Sequence, residues 1–290
     1  MAEREPNAHQ FTLDDALGVG TTSFMDLTVP EYAYMFGFLQ ADGHLHQGPG
    51  QKGRLAVEVN VRDIDILHAF QKLTPYNSSV RERIRSTNFA ATHHSALWTL
   101  CSLEARTRIN ELGLPYGRKS FTITAPTSDF SVRDYIRGLI DADGSLGYTA
   151  KGFPFLSLTT ASTAIATCLT SHVKTVTSAE RVLNRNSRDG IYNIFYAMET
   201  AQKLAQHFYY PGCLSLARKH AIADSLAAWS RPPEMRAVHT RRRWNDREDL
   251  ILLRSDNCAL AAQELGRTET SCNLRLWRLR TGQVPMPHGR

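Results

Sequence analysis

Two stretches of the chain are apolar at almost every position and end on the same polar pair. The first runs Tyr34-Met-Phe-Gly-Phe-Leu-Gln-Ala-Asp-Gly43 and the second Asp134-Tyr-Ile-Arg-Gly-Leu-Ile-Asp-Ala-Asp-Gly-Ser-Leu-Gly147. Both read as helices, the first with Pro30 suited to its opening turn. Each carries a glycine and an alanine four apart, Gly37 with Ala41 and Gly138 with Ala142, and each closes on an acid followed by glycine, Asp42-Gly43 and Asp143-Gly144. Residues four apart share a helix face, so small ones there let two helix backbones approach closely. The expectation is that the two helices pack on each other and bring Asp42 and Asp143 together.

Beyond the first helix and a glycine-rich loop, the period changes to two. Leu55, Val57, Val59 and Val61 alternate with Ala56, Glu58, Asn60 and Arg62, as in a half-buried strand. A helix through Ile64, Leu67, Phe70 and Leu73 is stopped by Pro75. Val80 to Arg85 reads as a strand with Arg81, Arg83 and Arg85 on one face, Ala96 to Ser102 as another, and Leu103 to Leu112 as a helix. Ser131 and Asp134, spaced like a capping box, open the second apolar helix. The succession then returns: strand Phe155–Thr160, helix Ala164–Val176, strands Arg181–Asn186 and Ile191–Met198, helix Thr200–Phe208. Leu103-Glu104 matches Met198-Glu199, and Gly117-Arg-Lys119 matches Ala217-Arg-Lys219. The expected fold is therefore α+β, with two pseudo-symmetric αββαββα halves made by internal duplication.

Past Ser230 the pattern is helical and short-ranged. Pro232-Pro233 cannot continue a helix. Trp244–Arg254 starts near Asn245 with acids in its first turns, Cys258–Leu265 is stopped by Gly266, and a third helix capped by Thr268 or Thr270 runs through Leu274, Trp277 and Leu279. Three such helices suit a helix-turn-helix, with Trp244, Leu274 and Trp277 as its small core. The expected division is an extension over 1–28, repeats over 29–128 and 129–230, a linker over 231–242, a three-helix domain over 243–282 and a tail over 283–290.

Charge sharpens this division. The chain carries +6, and residues from Arg231 onward hold twelve arginines, no lysine and seven acids. Nearly all the positive excess sits in that last fifth, which points to a polyanion-binding appendage on a near-neutral core. Five scattered cysteines without a Cys-x-x-Cys pair argue against disulfides and against a cysteine zinc site. No run of 18 apolar residues is present, so no membrane span is expected and the protein is read as cytoplasmic and nucleoid-associated. His44, His46, His93 and His94 fit no histidine metal motif and are read as loop residues. The 27 arginines against 7 lysines are what a GC-rich genome, of a phage or an actinobacterium, would produce.

The motif Gly138-Leu-Ile-Asp-Ala-Asp-Gly144 resembles the defining motif of the LAGLIDADG homing endonucleases, and Gly37-Phe-Leu-Gln-Ala-Asp-Gly43 resembles the first copy of their single-chain, two-motif members. The tail is similar to Myb-like helix-turn-helix modules. The family resemblance implies a monomer with internal pseudo-two-fold symmetry that cuts both strands of double-stranded DNA. It also implies that Asp42 and Asp143 bind Mg²⁺ or Mn²⁺, a metal that activates water and neutralises charge developing on phosphate. Lys119 and Lys219 are the candidate basic residues beside the metal, polarising water or stabilising that charge. The antiparallel sheets would face DNA, with Glu58, Asn60, Arg62, Arg81, Arg83 and Arg85 from the first half and Ser157, Thr159, Arg181 and Arg185 from the second. In the tail, Arg267, Asn273, Arg275, Arg278 and Arg280 are the candidate contacts of the third helix.

One residue departs from the motif: Gln40 stands where the second copy has Asp141, and is expected to affect packing more than metal binding. Met1 and Pro287-His-Gly-Arg290 lack the terminal His-Asn of a splice junction, so a free-standing enzyme is expected. Two rival readings share the core: a non-catalytic transcriptional regulator of the WhiA type, and an RNA-splicing maturase. Retention of both acids favours the nuclease over the regulator.

Overall fold

The computed structural model describes residues 23–86, 92–232, 242–255 and 257–287. Most of the expected N-terminal extension (1–22) and of the expected linker (233–241) lies outside the described residues. Two compact units partition the chain, Met1–Ser230 and Arg231–Arg290.

The centre of the first unit is a pair of helices, α1 (Pro30–Asp42) and α4 (Val132–Asp143). Eight consecutive positions of each, Ala33–Gln40 and Asp134–Asp141, are buried, the second including a polar row of Asp134, Arg137 and Asp141. A helix buried all round must have neighbours on every side. Around α1 the chain adds β1 (His44–His46), β2 (Arg54–Asn60), α2 (Ile64–Leu73), β3 (Ser78–Arg85), β4 (His93–Leu100) and α3 (Leu103–Glu111). Around α4 it adds β5 (Gly144–Tyr148), β6 (Pro154–Thr160), α5 (Thr163–Thr177), β7 (Tyr192–Ala197), α6 (Met198–Phe208) and α7 (Ala217–Ala227).

Both sheets are antiparallel, in the orders β1-β2-β4-β3 and β5-β6-β7. Their inner faces supply Leu55, Val57, Trp98 and Leu100 from the first, and Leu156, Leu158, Ile194 and Tyr196 from the second, to one core. The first half thus has the expected αββαββα order. β1 falls where a loop was expected, and it places His44 and His46 on a strand, as β4 does His93 and His94. His94 pairs with Glu82 at 2.7 Å.

The second half corrects the expected order. Residues 181–186 form no strand, and Arg185 makes only an isolated bridge with Tyr192. Val182 and Leu183 are adjacent, not alternating, and Asn186 closes a turn by accepting from the backbone N–H of Arg188 at 3.1 Å. Val182 is 81% exposed, so no apolar face holds this segment in the sheet. Ser131 is also no capping box: it is the N-cap of α4, but its hydroxyl donates to the Asp134 carboxylate and caps no backbone N–H. Asp134 is instead the partner of Arg137, with both side chains fully buried.

The second unit consists of α8 (Asp246–Arg254), α9 (Cys258–Leu265) and α10 (Glu269–Arg280). Asn245 and Glu248 make a reciprocal capping box at the start of α8, and Gly266 ends α9 at φ +59°, a left-handed position suited to glycine. Its core is Leu252, Ala261, Ala262, Leu265, Cys272, Leu276 and Leu279, with Trp244 packed against it. Leu274 and Trp277, expected in that core, are 47% and 51% exposed: the inward stripe of α10 runs through Cys272, Leu276 and Leu279, and they lie off it.

Candidate active site

The crossing of α1 and α4 is set by two glycines. A Cβ on Gly37 would lie 2.1 Å from the carbonyl oxygen of Tyr135, and one on Gly138 would lie 2.1 Å from that of Tyr34. The contact is reciprocal, each glycine lying under the tyrosine of the other helix. Ala41 and Ala142 are half-buried one turn further on and pack at the border of the core.

Both helices end at their acids. Gly43 and Gly144 follow in extended backbone conformations, and a Cβ on either would crowd the carbonyl of its own last turn, at 2.5 Å from Leu39 O and 2.6 Å from Ile140 O. The charge of Asp143 bears on Asp42. Surrounding protein displaces water from Asp42 and pushes its pKa up to about 6, the neighbouring Asp143 carboxylate adds to the rise, and Lys119 and Lys219 oppose it. Asp143 is raised by the same desolvation and is likewise opposed by the two lysines. Both acids still reach solvent.

The lysines occupy equivalent places. Lys119 Nζ donates to the carbonyl oxygens of Leu39 (3.1 Å), Gln40 (2.7 Å) and Ala41. Lys219 Nζ donates to those of Ile140 (2.7 Å), Asp141 (2.8 Å) and Gly144 (2.8 Å). Each ammonium thereby caps the negative end of one motif helix, where cations are favoured. Burial lowers both to about 8, against the pull of the nearby carboxylates. With three donors given to carbonyls, each lysine acts here as a fixed positive charge and has no N–H left over for a water molecule.

Sequence reasoning missed the shell behind these groups. Gln40 and Asp141 are both buried. The Tyr34 hydroxyl donates to Asp141 at 2.7 Å, and the Tyr135 hydroxyl donates to Gln40, so the two copies reach across the crossing in opposite directions. Gln40 donates its amide to Gly113 O and Thr124 O at 2.9 and 3.0 Å. Asp141 accepts from Tyr209 OH at 2.6 Å and Leu216 N–H at 2.7 Å. The signal was a polar residue two before the terminal acid and a tyrosine six positions before it, in both copies.

Two hard carboxylates beside helix C-termini are the donor chemistry that Mg²⁺ takes, its other positions being filled by water and phosphate. Among the described residues no cluster of three or more His, Cys, Asp or Glu offers a metal an all-protein cage. The site therefore fits an ion completed by its substrate.

Of the candidate contacts on the sheets, Arg81, Arg83 and Arg85 are exposed on β3. Glu58 lies on β2, beyond β4, and is engaged, accepting from Arg85 at 2.7 Å and from Ser95 at 2.6 Å. Asn60 ends β2 and accepts from Arg62 N–H, so Arg62 lies in a turn and not on the strand. Ser157 and Thr159 share the outer face of the second sheet with the stacked rings of Phe155 on β6 and Phe195 on β7. Arg181 and Arg185 lie off the sheet, donating to Phe195 O and Gly190 O.

In the second unit two candidates are engaged within the unit. Arg267 precedes α10, donates to Glu248 at 2.8 Å, and stacks on Trp244 at 4.1 Å. Arg275 is held by Asp249 at 2.8 Å. Both serve the unit's interior, because buried Glu248 and Asp249 require partners. Asn273, Arg278 and Arg280 are exposed on α10.

No protein-family profile matches the chain, and no curated protein matches it. Solved structures similar to it include the homing endonuclease I-WcaI bound to its DNA recognition sequence, at 12% identity and a TM-score of 0.43, covering 69% of this chain and 94% of that one. The N-terminal LAGLIDADG domain of DUF199/WhiA is similar at 11% identity and a TM-score of 0.39, over 75% of this chain and 88% of that one. I-SmaMI bound to uncleaved DNA target in the presence of calcium ions is similar at 12% identity and a TM-score of 0.38, over 58% and 79%.

Proposed function

We propose that the first unit is a metal-dependent endonuclease that hydrolyses phosphodiester bonds in double-stranded DNA, as a single chain with internal pseudo-two-fold symmetry. The observation that carries this is the reciprocal crossing of two helices that each end on an acid, Asp42 and Asp143, with each helix end capped by a lysine from another segment, half-buried Lys119 and buried Lys219. A helix that merely stops in an Asp-Gly turn needs neither a matching acid nor a lysine from another segment.

Asp42 and Asp143 would hold Mg²⁺ or Mn²⁺. The metal, when bound, supplies Lewis-acid charge and a more acidic water. Lys119 and Lys219 keep positive charge beside the reacting phosphate without reorganising during the reaction. Arg81, Arg83, Arg85 and Asn60 on the first sheet, with Ser157 and Thr159 on the second, would meet phosphate and base edges. The second unit, through Asn273, Arg278 and Arg280, would add a further DNA contact in the manner of a helix-turn-helix.

The test incubates the full chain with Mg²⁺ and a library of duplexes, comparing wild type with Asp143→Asn. Metal-dependent cuts in both strands that vanish in the variant, with binding retained, support the nuclease. Binding without cleavage by wild type would mean a DNA-binding regulator, and a preference for structured RNA a maturase.

A further inference from the structure

Each lysine that caps a motif helix comes from a different segment of chain, and something must hold that segment in place. Lys119 lies between α3 and α4. Its stretch is bracketed by Gly113 and Thr124, the two residues whose carbonyls accept from the Gln40 amide at 2.9 and 3.0 Å. Lys219 lies in the first turn of α7, whose N-cap is Leu216; the Leu216 N–H donates to Asp141 at 2.7 Å, and the Lys219 N–H donates to Leu216 O at 2.9 Å. Tyr209, on the approach to that turn, donates to the other Asp141 oxygen at 2.6 Å. In both copies the residue two before the terminal acid is thus bonded to the segment that bears the lysine.

The chemistry differs between the copies because the segments offer opposite groups. The first presents two carbonyl acceptors, which an amide N–H₂ satisfies; the second presents an N–H and a hydroxyl, which a carboxylate satisfies. Gln40 is therefore not a worn copy of Asp141. It performs the same tethering with reversed polarity.

We propose that Gln40 and Asp141 are positioning residues that anchor the Lys119 and Lys219 segments to the helix ends carrying Asp42 and Asp143. Neither touches the reacting atoms. Their effect on cleavage rests on the nuclease reading above; the anchoring itself does not.

The experiment measures hydrogen–deuterium exchange and single-turnover DNA cleavage on the same full-length variants. Gln40→Met keeps side-chain volume and removes both donors. Gln40→Glu keeps the acceptor for Tyr135 and also gives up the donors. Both are expected to raise exchange in 113–124 while 214–220 stays as in wild type, and to slow cleavage about 10- to 100-fold with duplex affinity within about twofold. Asp141→Asn keeps one carboxyl-like oxygen for Leu216 N–H and tests the second anchor should larger changes fail to fold. It is expected to raise exchange in 214–220 alone. Equal loosening of both segments, or of neither, overturns the proposal, since a general loss of stability would spread to both. Selective loosening in a protein whose wild type cuts no duplex would leave the anchoring intact and remove the hydrolytic reading.

Discussion

The carbonyl oxygen of Tyr34 occupies the space that a side chain on Gly138 would need, with only 2.1 Å to a built Cβ. The obstacle is backbone of the facing helix, which cannot rotate away as a side-chain end could. Gly138→Ala must push α1 and α4 apart, at a cost of about 3 kcal/mol or more. The expected result is a drop in melting temperature on the order of 10 °C, read by circular dichroism. Gly37→Ala should match it, because Tyr135 stands over Gly37 in the same way.

Without metal, the crowding of Asp42 destabilises its charged form. Its folded pKa of about 6 stands above its ordinary 3.8, so the folded state binds the proton more tightly and stability falls as pH rises through that window. Asp42→Asn removes the charge. The variant should melt above wild type at pH 7.5 and level with it at pH 3.5. Mg²⁺ should raise the melting point of wild type and leave that of Asp42→Asn unchanged.

His172 and His207 face each other with their Nε2 atoms 2.9 Å apart. Burial lowers both, His207 to about 4, and Arg133 opposes the charging of either while Asp134 weakly favours that of His207. The unfolded chain therefore takes up protons that the folded one refuses between pH 6.5 and 4, and stability is lost as pH falls through that window. A melting series over this range should flatten in His207→Gln.

In the second unit, interior and exposed arginines should separate cleanly. Arg267 pairs with buried Glu248, which keeps Arg242 as a second partner, so removing Arg267 costs the charged hydrogen bond alone, about 1.5 to 3 kcal/mol. Arg267→Ala should therefore lower the unit's unfolding midpoint in urea. Arg278→Ala should leave that midpoint unchanged, weaken duplex binding and reduce the slope of log affinity against log salt by about 1.

Much of this was legible in the chain. Gly37, Gly138 and the acids at 42 and 143 announced a helix crossing because their spacing is local and repeated. The strand at 54–60 followed from strict alternation. The stretch 181–186 misled because its arginines suggested a copy of β3, while Val182 and Leu183 lacked the alternation that burial in a sheet requires. Leu274 and Trp277 are large and apolar, yet Cys272 and Leu276 occupy the core, because the inward stripe of α10 passes through them. The bonds of Gln40 and Asp141 join residues 68 to 84 positions apart, apart from those across the crossing; no periodicity reports such pairs.

The reversed polarity at positions 40 and 141 also bears on whether one motif helix could stand in for the other. Copying the second motif over the first by gene conversion would set a carboxylate against the carbonyls of Gly113 and Thr124. The reverse exchange would leave an amide to answer Leu216 N–H, Tyr34 and Tyr209. Either event would preserve the motif's lettering and break its anchorage. The partners of position 40 and those of position 141 each suit one polarity, so the two residues are not interchangeable.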